Sequence, residues 1–155
     1  MAASKKKKVS QKEIPSNERR IVQKKEPESY YDKNPSWNFH TCDNEMWSFS
    51  KENAGDYIWS EIIPHLKGLE SQTWNEIFLL AKKQNHSISC LTLNPIAQKR
   101  LSEKYIEAES LCSLRLNGTH RIYGYMNGSV FNILWFDPCH GDNDKCVCRS
   151  TKKHT

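Results

Sequence analysis

The clearest pattern in the chain lies between Leu111 and Phe136. Three apolar-rich runs, Leu111 to Leu116, His120 to Met126 and Val130 to Phe136, are separated there by Asn117-Gly118 and Asn127-Gly128. Asn-Gly supplies the positive backbone angles that tight hairpin turns need, so the spacing predicts an antiparallel three-stranded meander. A two-residue turn at Asn127-Gly128 pairs Met126 with Ser129, Tyr125 with Val130, Tyr123 with Asn132 and Arg121 with Leu134. Ile122, Gly124 and Met126 then share the core side with Phe131, Ile133 and Trp135, while Arg121, Tyr123, Tyr125 and Asn132 lie on the other face. Apolar residues on both faces of the last strand make it central. At the first turn a two-residue loop would set Leu114 on the face of Arg121. A three-residue loop, Asn117-Gly118-Thr119, pairs Leu114 with Ile122 instead and sets Arg115 opposite Arg121.

The pattern before the meander is helical. Ile58, Ile62, Leu66 and Leu69 form one face of a helix over 54–69, which Pro64 kinks or splits and Gly68 ends. A second helix follows, with Ser71 as N-cap and Trp74, Ile77, Phe78 and Ala81 on one face, so the two make a helical hairpin. Ile88 to Leu93 reads as a short extended piece. Asn94-Pro95, an N-cap followed by proline at the first helical position, starts a third helix that runs to about Ala108. Trp37-Asn38-Phe39-His40 alternates as a half-buried strand does. The expectation is an α+β fold: an N-terminal strand, a helical hairpin and a third helix packed on an antiparallel meander. Its domain spans 34–141, between a disordered basic arm over 1–33 and a flexible tail over 142–155.

Charge sharpens this division. The net charge of the 155-residue chain is +5. Residues 1–33 hold ten Lys/Arg against five Asp/Glu, and residues 34–155 hold thirteen of each, so the arm carries the whole excess. A neutral folded part argues against broad salt-driven binding to duplex DNA, and leaves local contact with RNA as the nucleic-acid expectation. No run of roughly 18 apolar residues is present and no apolar core follows the lysine-rich start, so the expected place is the cytoplasm, with no membrane partner. In such a compartment the six cysteines are expected to be reduced thiols rather than a disulfide framework.

The chemistry-bearing residues gather at one end of the meander. Like charges directly opposed across a strand pair are destabilising alone, so Arg115 facing Arg121 suits an anion, such as a phosphate, held between two guanidinium forks. Solvated arginines splayed outward are the plainer alternative. Asp137-Pro138-Cys139-His140 lies just beyond the last strand, where His140 can reach the arginine pair as a general acid or base with Asp137 as an orienting carboxylate. His120 and His86 read as structural. Cys139, His140, Cys146 and Cys148 contain soft ligands, but their spacing is a weak zinc signal. No cofactor is expected. A different use of the same face is a non-catalytic RNA- or protein-binding module, with Tyr123 and Tyr125 stacking bases while Arg115 and Arg121 hold phosphates.

The run Arg121-Ile122-Tyr123-Gly124, followed by Phe131-Asn132-Ile133-Leu134-Trp135-Phe136-Asp137-Pro138-Cys139-His140, resembles a bacterial family that carries an R-I-x-G strand and an F-x-x-L-W-x-D-P-x-H strand. More remotely, the order of strand, helical hairpin and meander with a mid-sheet arginine, over roughly 37–140, is similar to RelE/HigB-type toxins of toxin-antitoxin systems. That resemblance implies a metal-independent endoribonuclease acting on messenger RNA at the ribosome, with an antitoxin protein as partner. By motif position Arg121 and His140 take the catalytic roles, and Arg115, Tyr123, Tyr125 and Asn132 bind substrate.

Overall fold

The computed structural model describes residues 20–21, 30–142 and 144–148. The expected arm and tail therefore lie partly outside the described residues. A five-stranded sheet organises the chain. In sequence order its members are β2 (Ser36–Asn38), β3 (Asn85–Ser89), β5 (Ser110–Asn117), β6 (His120–Asn127) and β7 (Val130–Asp137), arranged β2-β7-β6-β5-β3. β2 runs parallel to β7 and the other pairs are antiparallel. The predicted meander is present as β5-β6-β7, and β7 is central because β2 closes its far side. A separate two-stranded pair joins β1 (Arg20–Ile21) to β4 (Ile106–Glu107).

Both hairpins depart from their expected turns in an instructive way. In the first, Leu114 faces Ile122 and Arg115 faces Arg121 as predicted, but Asn117 then faces His120 across a two-residue turn. The extra residue is a bulge at Leu116, which keeps the leucines inside. In the second, Asn127 pairs with Val130, so the turn is Gly128-Ser129 rather than Asn127-Gly128, with Gly128 at φ +62°. The shift relative to the expected register is two residues, which preserves the faces near the turn. A bulge at Leu134 then breaks the alternation, since Gly124 pairs with Ile133 but Tyr123 pairs with Trp135. Trp135 consequently leaves the predicted core side, and Phe136 takes its place opposite Ile122.

The irregular stretch after β2 satisfies the backbone that the bulge disturbs. Thr41 Oγ1 donates to the Ile133 carbonyl at 2.8 Å, Asp43 N to the Leu134 carbonyl at 3.0 Å, and Phe136 N to the Trp47 carbonyl at 2.7 Å. Buried backbone groups need such partners, so the bulge and the 41–47 loop depend on each other.

Two cores result, one on each face of the sheet. On the first, Ile122, Met126, Phe131, Ile133 and Phe136 pack under Ile62, Leu66, Leu69, Trp74 and Ile77. The helix supplying Ile62 and Leu66 begins π-helical at Ile58–Ile62 and continues as α1, Ile63–Leu69. The wide turn explains how Pro64 is tolerated, because a proline lacks the N–H and crowds the carbonyl four residues back in a regular helix. The next helix starts at Thr73 rather than Ser71. Thr73 and Glu76 form a reciprocal capping box, with Thr73 N donating to Glu76 Oε1 at 2.8 Å and Glu76 N to Thr73 Oγ1 at 3.2 Å.

On the second face, Tyr123, Tyr125, Leu134 and Trp135 pack under Leu93, Ala97, Leu101 and Val147. Helix α2 (Pro95–Glu103) starts where predicted, with Asn94 Oδ1 accepting from Ile96 N at 3.0 Å. It stops short of the expected Ala108 because Tyr105 adopts φ +58°, which turns Ile106 into the core and frees β4 to pair with β1. The domain also extends past residue 141: Cys146 and Val147 are buried, and Val147 accepts from Asn94 N at 2.8 Å. At the other end Tyr30 and Tyr31 pack on the first core, so the folded part begins before residue 34.

Candidate functional site

Strand register decides which side chains meet. Residues paired across neighbouring strands point to the same face. His86, Ser113, Tyr123 and Trp135 therefore form one row across β3-β5-β6-β7, and Arg115, Arg121 and Asp137 form the next row toward the β5-β6 turn. The second row sits at the rim of the face that α2 covers, where Arg115 is exposed and Arg121 is half-buried.

The turn fixes Arg121. Its Nη1 donates to the Gly118 carbonyl at 2.7 Å and to the His120 carbonyl at 3.1 Å. Burial lowers its pKa from the ordinary value, and the neighbouring Arg115 adds to that, while it remains a cation. Among the described residues no carboxylate lies within ion-pairing distance of Arg115 or Arg121. Asp137, directly across from Arg121, is turned elsewhere: its two oxygens accept from Cys139 N and Val147 N, each at 2.8 Å. Burial pushes its carboxyl up to about 6, against the pull of those two N–H groups and of Arg121. Asp137 thus ties the chain after β7 in place, and the expectation that it orients His140 finds no contact.

The loop bearing His140 is laced to the same turn. His140 N donates to the Thr119 carbonyl at 3.0 Å, and Thr119 Oγ1 donates to the Pro138 carbonyl at 2.8 Å. His140 Nδ1 is buried with no hydrogen-bond partner. Burial, with contributions from Arg121, His86 and Arg115, lowers its pKa to about 4, so the imidazole is neutral at neutral pH. A buried polar atom left without a partner is uncommon in folded proteins, and such atoms concentrate where chemistry or a ligand supplies the partner.

Arg115, Arg121 and His140 are therefore brought together as the sequence predicts. Tyr123, Tyr125 and Asn132 are not available to substrate. They are 0%, 5% and 5% exposed under α2 and the 146–148 segment, so the open stacking face does not exist. Asn132 is occupied structurally, donating to the Tyr125 carbonyl at 3.3 Å and accepting from Asn38 Nδ2 at 2.7 Å.

His86, which reads as a structural residue in the sequence, joins the cluster from β3. The segment Asn85-His86-Ser87-Ile88-Ser89 has a single apolar residue, too little alternation to announce a strand.

His120 lies on the opposite face, as its position before Ile122 implies. Its Nδ1 is 2.6 Å from Glu61 Oε1, and its ring packs against Tyr57 and Phe136.

Among the described residues no three His, Cys, Asp or Glu side chains converge as metal ligands do. The Cys146 thiol instead donates to the Cys148 carbonyl at 2.6 Å, and burial raises its pKa. No helix among the described residues is long and apolar enough to cross a membrane. No protein-family model, curated protein or solved structure matches the chain.

Proposed function

We propose that this chain is a RelE/HigB-like, toxin-type domain that cleaves messenger RNA at the corner formed by Arg115, Arg121 and His140, without a metal. The observation that carries this reading is the convergence of two carboxylate-free arginines with a neutral histidine whose buried Nδ1 lacks a partner. Two guanidinium groups are suited to the nonbridging oxygens of a phosphodiester, where charge grows as the phosphorus is attacked. A neutral imidazole is suited to removing a hydroxyl proton.

In the reaction, the ribose 2′-oxygen loses its proton to His140 and bonds to phosphorus. The bond from phosphorus to the 5′-oxygen breaks, leaving a 2′,3′-cyclic phosphate, and a proton must reach the departing 5′-oxygen. Arg121, anchored on the turn, holds the phosphate in place, and Arg115 contacts it from the solvent side. With the tyrosines buried, recognition rests on the RNA backbone rather than on stacked bases. The ribosome and an antitoxin protein are the partners this reading brings with it.

The test is expression of the native chain, Arg121→Ala and His140→Ala in a tightly controlled bacterial host, with growth and transcript integrity followed together. Growth arrest with cleaved transcripts, relieved by both substitutions in chains that remain folded, is the expected result. Unimpaired growth with intact transcripts overturns the cleavage reading and leaves a phosphate-binding module.

A further inference from the structure

The cleavage step needs two proton transfers, one from the 2′-hydroxyl and one to the departing 5′-oxygen, and a single neutral histidine supplies only the first. A second group has to stand on the same face with a proton to give. Buried Tyr123 has no route to solvent, and both oxygens of Asp137 are held by backbone N–H groups. His86 is exposed on strand β3, which lies at the sheet edge. It pairs with Ser113, which places it on the face of Arg115 and one diagonal step away from it, a separation of roughly 7–8 Å that long side chains span. Its Nδ1 faces the Ser87 carbonyl at 3.3 Å. A ring nitrogen beside a carbonyl carries its hydrogen as a donor, so the proton that His86 exchanges sits on Nε2.

We infer that His86 is a second catalytic residue of this site, donating the Nε2 proton to the 5′-oxygen as the P–O5′ bond breaks, opposite His140 as proton acceptor. The inference rests on the ribonuclease reading above. Atoms balance over the step: His140 gains the proton of the 2′-hydroxyl, His86 loses one to the 5′-hydroxyl product, and solvent exchange restores both. The charges also suit the pair, because a proton on His86 disfavours one on His140, which keeps acid and base in complementary states.

A leaving-group substitution separates this role from a structural one. The native chain, His86→Ala, His86→Gln and His140→Ala are compared on one messenger RNA carrying either the ordinary 5′-oxygen or a bridging 5′-sulfur at the scissile linkage, in the presence of ribosomes. A thiolate departs without being protonated, so it needs no acid. Loss of a general acid costs on the order of 10²–10⁴-fold. Both His86 variants are expected to show that deficit on the oxygen substrate and to recover at least about tenfold of it on the sulfur substrate, whereas His140→Ala stays impaired on both. An equal deficit of the His86 variants on the two substrates, or no deficit at all, overturns the assignment while leaving the ribonuclease reading intact. If the native chain cleaves neither substrate, the ribonuclease reading falls and this inference falls with it.

Discussion

Replacing Asp43 by alanine should unfasten α2 from the sheet. Asp43 is 1% exposed and accepts five hydrogen bonds. They come from Arg100 Nε at 2.7 Å, Arg100 Nη2 at 2.8 Å, Trp135 Nε1 at 3.0 Å, Glu45 N at 2.9 Å and Met46 N at 3.3 Å. Burial alone would raise its pKa, but the Arg100 and Trp135 donors and the two backbone N–H groups hold the carboxyl well below its usual range. The arginine comes from α2 and the tryptophan from the bulged part of β7, so one carboxylate joins helix, loop and sheet. Removing one partner of a buried ion pair costs about 3–5 kcal/mol. The Arg100 side chain is 14% exposed and keeps Glu103 at 3.0 Å and Glu45 at 3.3 Å, which places the loss for Asp43→Ala near the lower end, about 3 kcal/mol. A single domain has roughly 5–15 kcal/mol in total, so the variant should fold with a much reduced urea midpoint, read by tryptophan fluorescence. Paired with Arg100→Met, the double variant should lose clearly less than the sum of the two single losses. A loss under about 1 kcal/mol for Asp43→Ala, or additive losses, would refute the buried-pair argument.

Gly124 sits where β6 passes closest to β7. A Cβ there would stand 2.2 Å from the Asn132 carbonyl and 2.7 Å from a Phe131 ring carbon, so Gly124→Ala must open the strand pair. It should cost more than about 3 kcal/mol or prevent folding, and a urea midpoint within error of native would contradict the packing. The two shifted groups near the site make opposite contributions to pH dependence. Asp137, raised from 3.8 to about 6, contributes stability that is present below pH 3.8 and lost as pH rises through 6. His140, lowered from 6.5 to about 4, contributes stability that is present above pH 6.5 and lost as pH falls through 4. Between those limits the two offset. Relative to the native chain, Asp137→Asn should therefore lose stability on acidification across this interval, by at most about 3 kcal/mol for a shift of roughly two units. His140→Ala should gain it over the same interval. Urea midpoints of all three chains at either end of the range check both signs, and variants that move in parallel would contradict them.

Legibility in the sequence followed the strength of the apolar alternation. Arg115 opposite Arg121 was readable because only that register keeps both Leu114 and Ile122 inside, and the observed bulge achieves it by another route. The end of β7 was not readable. Ile133-Leu134-Trp135-Phe136 is apolar at every position, so alternation cannot mark the bulge at Leu134 or send Trp135 to the far face. The burial of Tyr123 and Tyr125 was hidden for a different reason. Their cover comes from α2 and from Val147, a lone apolar residue between two cysteines, and docking of distant segments leaves no local periodicity. His86 was missed because its strand holds one apolar residue and owes its place to pairing with β5. The helix caps show the limits of local signals: Asn94-Pro95 marked the start of α2 correctly, while Thr73-x-x-Glu76 outcompeted Ser71 by offering a reciprocal pair of bonds.

The most direct measurement is to map the ends produced when the purified chain acts on messenger RNA, free and on ribosomes, beside the same RNA carrying one 2′-deoxy nucleotide at the cut position. The account predicts a 2′,3′-cyclic phosphate and a 5′-hydroxyl from the native chain, no cut at the deoxy position, and no cut by Arg121→Ala or His140→Ala. Cleavage that persists at the deoxy position, or RNA bound but never cut in either setting, would contradict it.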